Sequence, residues 1–210
     1  MTQKEKYIWY ASYGSNILEK RFLCYIQGGQ PDGSPKVYDG CSDKSLPIDK
    51  EEIYINSELY FAKHSNQWNG GVCFIRTNFE PQQQTLGRMY LITKEQFADI
   101  VKQETNSEQS PNINFESAIT DGSLTFAAGS WYGNIIYLGT QCEFPIFTFT
   151  HQDNITPTTK PSENYLKLII RGIQETYEHL DTNEIVDYLI SKVGVQGNYS
   201  RQELVTIIEN

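Results

Sequence analysis

Histidine is scarce in this chain, with three in 210 residues, and His64, His151 and His179 stand far apart. The four cysteines, Cys24, Cys41, Cys73 and Cys142, are equally scattered and none belongs to a C-x-x-C pair. This spacing speaks against a zinc site and against a disulfide framework, and points to reduced thiols in a cytoplasmic protein. Neither a metal nor another cofactor is expected. A thiol nucleophile is a poor fit too: Cys24 falls mid-helix and Cys73 mid-strand, with no histidine at a recognisable spacing, so buried structural cysteine accounts better for both. Long apolar runs are also missing, and none approaches the ~20 residues that span a bilayer. The N-terminal Met-Thr-Gln-Lys-Glu-Lys is polar and lacks the apolar region of a signal peptide. Positive charge is in deficit, with 17 Lys and Arg against 26 Asp and Glu and a net charge of −9. Neither nucleic acid nor an anionic membrane surface would be drawn to such a chain.

What is present suits a chain able to bury a full core. Hydrophobic residues make up 39%, and 14 Tyr with 10 Phe favour β-rich packing. The apolar strand Tyr7–Ala11 leads into a helix over about 17–27, with Leu18, Phe22, Tyr25 and Ile26 as its stripe and Gly28-Gly29 as its stop. Residues 30–50, rich in Gly, Pro, Asp, Ser and Lys, read as an exposed excursion. Strands are predicted near 52–62, 70–76 and 85–92, with Gly70 and Gly71 marking a bulge or a close backbone approach. Thr93 and Gln96 form a capping box, with Ile92 and Phe97 placed as a hydrophobic staple, and open a helix to about Thr105. Residues 106–122 read as a long polar loop, followed by strands near 123–128, 131–139 and 143–150. Ser162 caps a helix of about 163–178, and two more helices fit 183–192 and 201–209, the last with a Ser200/Glu203 capping box. Residues 1–180 are therefore expected to form one domain, with 181–210 a helical extension that packs on it or serves a homodimer contact.

Two features carry chemistry. Tyr13-Gly14-Ser15-Asn16 sits where a strand gives way to a helix, so several backbone N–H groups face one way at the positive end of a helix dipole. That arrangement receives a carboxylate or a developing oxyanion. Gly14 removes a Cβ that would obstruct a ligand, while Asn16, with Glu19 three residues on, is expected to cap the helix. The second feature is Glu104. Phe97, Ile100 and Val101 form the apolar stripe of the Thr93 helix, and continuing it by three residues reaches Glu104. A helix ordinarily keeps glutamate off such a face; a carboxyl placed there is suited to proton transfer, unless the helix frays first and leaves it at the rim in water.

A strand ending in Tyr13-Gly14-Ser15-Asn16, followed by a helix and later by Gln103-Glu104 at a helix end, resembles the γ-glutamylcyclotransferase-like family. Trp68-Asn69-Gly70-Gly71-Val72, Gly87 and Pro161-Ser162-Glu163-Asn164-Tyr165 match the family's segments in the same order, over residues 7 to about 175. Ser12, where the family commonly has Ala, and a longer loop before Trp131-Tyr132 depart from the pattern. The resemblance implies an α+β fold, with a mixed, partly closed, barrel-like sheet and surrounding helices. It also implies a metal-independent enzyme that cyclises a small γ-glutamyl amide and releases 5-oxoproline and an amine or amino acid. Glu104 would be the acid/base; Tyr13, Gly14, Ser15, Asn16, Tyr132 and Tyr165 would bind the substrate. A non-catalytic binding or scaffold protein on the same fold is the alternative.

Overall fold

The computed structural model describes residues 6–31 and 35–209. In chain order, strand β1 (Tyr7–Ser12) runs into a 3-10 turn at Ser15–Ile17 and helix α1 (Glu19–Gln27). Strands β2 (Asp49–Ile55), β3 (Leu59–Ser65), β4 (Gly70–Ile75) and β5 (Thr85–Thr93) follow. Next come α2 (Lys94–Thr105), α3 (Phe115–Asp121), β6 (Ser123–Thr125), β7 (Asn134–Gln141) and β8 (Phe144–Thr150). Helices α4 (Glu163–Thr176), α5 (Thr182–Ile190) and α6 (Arg201–Glu209) close the chain.

Six strands form one mixed sheet in the order β2-β5-β1-β8-β7-β6, and β3-β4 form a separate hairpin. Only β1 and β8 run parallel; the other pairings are antiparallel. Strands β1 and β5 are buried nearly throughout, so neither shows the alternation of a strand with one wet face. Alternate residues nonetheless serve opposite faces. Ile8, Tyr10, Tyr90 and Ile92 join α1, α2 and α3 on one side. Trp9, Ala11, Met89 and Leu91 join the β3-β4 hairpin and α4, α5 and α6 on the other. The architecture is α+β with a mixed sheet covered on both faces. Among the described residues, no helix is long and apolar enough to cross a membrane.

The capping box at Thr93 forms with both reciprocal bonds, and Ile92 and Phe97 are buried in the same cluster. Ser162 caps α4 through the Tyr165 N–H, and Ser200 and Glu203 pair as expected. Gly70 and Gly71 are a close approach: a Cβ would stand 2.7 Å from Ser162 N and 2.3 Å from Thr159 O, respectively.

Four expectations need correction. Asn16 and Glu19 make no cap: Leu18 occupies the N-cap of α1 without a side-chain bond, because the 3-10 turn intervenes and carries the Asn16 side chain elsewhere. The 52–62 strand is two strands, β2 and β3, broken where buried Ser57 bonds back through Ser57 N to Ile55 O and Ser57 Oγ to Arg76 O. Residues 106–122 are not all loop, since Asn114 caps α3 and Ile113 and Ala118 are buried. The 30–50 excursion is packed in part: Tyr38 and Cys41 are buried and Tyr38 bridges Gly29. Its residues 32–34 lie outside the described residues.

The C-terminal helices share a core with the rest. Ile185, Val186, Leu189, Leu204, Ile207 and Ile208 join the cluster built on α4. Leu86 N donates to Tyr188 Oη at 3.1 Å, and Lys192 Nζ donates to Gln84 O at 2.9 Å. Burial outweighs the favourable field of Glu58 and lowers the Lys192 ammonium to about 8. Because the folded chain holds this proton less tightly than the unfolded chain, the cost of burying the charge is full below pH 8. It fades as the pH rises toward the ordinary lysine value. Lys192→Met is therefore expected to be more stable than the parent at pH 7. Urea unfolding at pH 7 and pH 10 should show the parent recovering roughly 1–3 kcal/mol relative to the variant. A pH-independent difference would show that the ammonium remains well solvated.

Candidate functional site

The turn that follows β1 is held through its carbonyls. Tyr90 Oη donates to Asn16 O at 3.0 Å and to Ile17 O at 3.1 Å, and Arg88 Nη1 donates to Ile17 O at 3.3 Å. Within the turn, the N–H groups of Ile17 and Leu18 donate to Gly14 O at 3.0 Å and to Ser15 O at 3.3 Å. Those of Ser15 and Asn16 donate to no acceptor among the described residues, as helix starts leave them. On the far side of the turn, a Cβ at Gly172 of α4 would stand 2.5 Å from Leu18 N, so α4 seats directly on this backbone. Gly14 has a tight neighbour as well: its Cβ would meet Tyr165 Oη at 3.3 Å and Cys73 Cβ at 3.4 Å.

The turn opens on a cavity of about 160 Å³. Tyr13, Gly14, Ser15, Asn16, Glu104, Tyr132 and Tyr165 all line it, so the fold brings every candidate residue to one place. Helix α2 continues through Glu104 and ends at Asn106, in the left-handed conformation. Gln103 Nε2 donates to Tyr25 O at 3.0 Å, binding the last turn of α2 to α1 and fixing which way Glu104 faces. Asn16 Nδ2 donates to Glu104 Oε1 at 3.3 Å, which joins the turn to the carboxylate directly. Glu104 is half-buried, not withdrawn from water as its place on the stripe suggests, because α2 ends at the cavity mouth.

The hydroxyls of the three tyrosines are all engaged within the protein. Tyr13 Oη donates to Phe149 O at 2.8 Å and Tyr132 Oη donates to Cys73 O at 3.0 Å, so each spends its hydrogen within the protein. Tyr165 Oη accepts from Cys73 N at 3.3 Å, and its hydroxyl also bonds the Cys73 side chain. Burial raises all three hydroxyls well above the ordinary phenol range, so they act as neutral groups. Cys73 also lines the cavity, but burial pushes its thiol far up, and a thiol so held is a poor nucleophile.

Sequence reasoning missed part of this wall. Arg21, Tyr25, Tyr38 and Trp68 line the same cavity, and Arg21 is 4% exposed. Its Nη2 donates to Tyr38 Oη at 2.7 Å and to Tyr25 Oη at 3.2 Å. Burial opposes its charge, but Tyr25, Tyr38 and Glu104 outweigh burial and hold the guanidinium above its ordinary range. Position 21 lies three residues beyond Leu18 and four before Tyr25, on the buried stripe of α1. That was the available signal.

No family model matches the chain. A solved structure named gamma-glutamyl cyclotransferase is 17% identical, with a TM-score of 0.51 over 97% of this chain and 98% of its own. The uncharacterized protein loc79017 from Homo sapiens is 19% identical, with a TM-score of 0.53 over 98% of this chain and 100% of its own. The chain has the γ-glutamylcyclotransferase-like fold. Within that fold, the turn after β1 and the end of α2 are the two walls that meet at Asn16 and Glu104. Among curated proteins, histone deacetylase 5 of Arabidopsis thaliana is 37% identical over 191 residues, covering 80% of this chain. The chain spans 28% of the length of that relative.

Proposed function

We propose that the chain is a γ-glutamylcyclotransferase-type enzyme, with Glu104 as its acid/base. The observation that carries this reading is the Glu104 carboxylate bonded at 3.3 Å to the Asn16 side-chain amide, in a turn whose residues line the same cavity. A γ-glutamyl amide brings its own nucleophile. Glu104 takes a proton from the α-ammonium, and the freed amine attacks the γ-carbonyl carbon to close a five-membered ring. The Ser15 and Asn16 N–H groups receive the oxyanion; one such donor is worth roughly 2.7–4 kcal/mol where charge develops. When the tetrahedral intermediate collapses, the old amide C–N bond breaks, Glu104 returns the proton to the departing nitrogen, and the ring nitrogen gives its second proton to water. The products are 5-oxoproline and a free amine or amino acid.

The remaining groups hold the substrate in its reactive conformer. Asn16 Oδ1 is buried without a hydrogen-bond donor among the described residues and lies beside Glu104, which supports giving it the role of accepting from the ammonium. Tyr165 stands next to Gly14 and, with Tyr13 and Tyr132, gives shape to the wall. Orientation of an intramolecular reaction of this kind supplies up to ~7–11 kcal/mol.

A panel of γ-glutamyl amino acids, glutathione, γ-glutamyl amines and a γ-glutamyl-acylated carrier, followed by mass spectrometry for 5-oxoproline, tests this. Release from at least one member is expected. Release from none would favour the second reading, a non-catalytic binding module, which the match to a minor part of a longer protein supports. Mass spectrometry of an acetylated lysine peptide for loss of its acetyl group tests whether the name of that relative extends to this chain.

A further inference from the structure

We propose that Arg21, with the hydroxyls of Tyr38 and Tyr25, forms a carboxylate-binding subsite at the inner wall of the cavity, leaving the turn amides to the oxyanion. This rests on the cyclotransferase reading only in the identity of the ligand. The guanidinium is more than nine-tenths buried, and neither Nε nor Nη1 has an acceptor among the described residues. A buried cation with two unused donors is costly unless something completes it, and the planar fork suits a carboxylate above other partners.

Tyr38, which lines the same cavity, supplies a further donor. Its Oη accepts from Arg21 at 2.7 Å and from Tyr25 at 3.4 Å, and its own O–H hydrogen has no acceptor among the described residues. A hydroxyl accepting from a guanidinium is a stronger donor through its own hydrogen. The aromatic faces hold the cation in place, with Cζ at 4.8 Å from the Tyr25 centroid, 4.7 Å from Tyr38 and 5.8 Å from Trp68. Charge points the same way. In a chain of net charge −9, the cavity lining carries two cations, Arg21 and Lys36, against one carboxylate, Glu104.

A γ-glutamyl amino acid has two carboxylates, the α-carboxylate and that of its leaving group, and calorimetry can distinguish them. Binding of 5-oxoproline is compared with 5-oxoprolinamide. A γ-glutamyl amino acid is compared with its leaving-group amide on the Glu104→Gln protein, where turnover does not interfere. The parent is expected to prefer a carboxylate at least tenfold, and Arg21→Lys and Tyr38→Phe to reduce that preference at least fivefold. Circular dichroism and thermal unfolding establish that the variants fold. Loss in the first pair assigns the subsite to the α-carboxylate, and loss in the second alone assigns it to the leaving group. Absence of any carboxylate preference in the parent, or an unchanged preference in folded Tyr38→Phe and Arg21→Lys, would overturn the proposal. A preference that depends on Arg21 without 5-oxoproline release from any amide would keep the subsite and discard the cyclotransferase. Release with a preference indifferent to Arg21 would do the reverse.

Discussion

Glu104→Gln is expected to lower 5-oxoproline release roughly 10²–10⁴-fold in kcat, the usual scale for loss of a positioned acid/base, with little change in KM. The substitution keeps size and leaves an amide oxygen to accept from Asn16 Nδ2, so the bond between the turn and α2 has a replacement acceptor. Glu104 is half-buried and takes no part in either apolar cluster, and stability should therefore stay within about 0.5 kcal/mol of the parent. What the glutamine cannot do is take the proton from the α-ammonium, so the nucleophile never forms. If kcat falls as expected while KM holds, the lost interaction belongs to the transition state. A variant that turns over at the parent rate would remove the acid/base from Glu104 and with it the proposed mechanism. A fall in kcat accompanied by a lower unfolding midpoint would mean that Glu104 holds α2 to the turn instead.

Much of this site was legible because residue spacing reports which face of a helix a side chain occupies. Phe97, Ile100 and Val101 pointed inward in sequence and are buried in the structure, and the same period carried Glu104 to the cavity. The period could not say how deep the cavity is at that point, because depth depends on where α1 and the loop after α2 stop. Arg21 falls under the same rule, but a charged residue beside Phe22 reads as a solvated face until its neighbours are known. Tyr38 was not legible at all. It sits in a segment whose Gly, Pro and Asp content describes exposed backbone, and its burial comes from packing on Tyr25 at a centroid distance of 4.4 Å, 13 residues earlier in the chain. The failed cap at Asn16 has a similar cause. Local capping rules weigh only the nearest helix, whereas this side chain is engaged by a carboxylate 88 residues away.

Gly172→Ala is expected to destabilise the protein and to slow turnover together, although alanine is the better helix former. At an unhindered helix position the exchange would gain about 1 kcal/mol. Here the new Cβ would stand 2.5 Å from Leu18 N, 2.8 Å from Ile17 C and 2.9 Å from Ile17 Cβ. Two of these three atoms are backbone, so no rotamer change relieves the contact, and either α4 lifts or the 3-10 turn moves. Overpacking of this kind costs roughly 1–3 kcal/mol or more, which outweighs the gain in propensity. Urea unfolding should show a net loss of roughly 1–2 kcal/mol, with the midpoint lowered and the slope unchanged. The turn is also the part whose displacement matters to chemistry. Its carbonyls are fixed by Tyr90 and Arg88, so a push from α4 rotates or shifts the Ser15 and Asn16 N–H groups relative to Glu104. A misplacement near 1 Å at a reacting centre costs on the order of 10²-fold in rate, so kcat should fall by at least tenfold. Stabilisation by the variant would show that α4 has room to spare against the turn. Destabilisation with kcat untouched would show that the turn amides keep their aim when their seat is disturbed, and would weaken their assignment to the oxyanion.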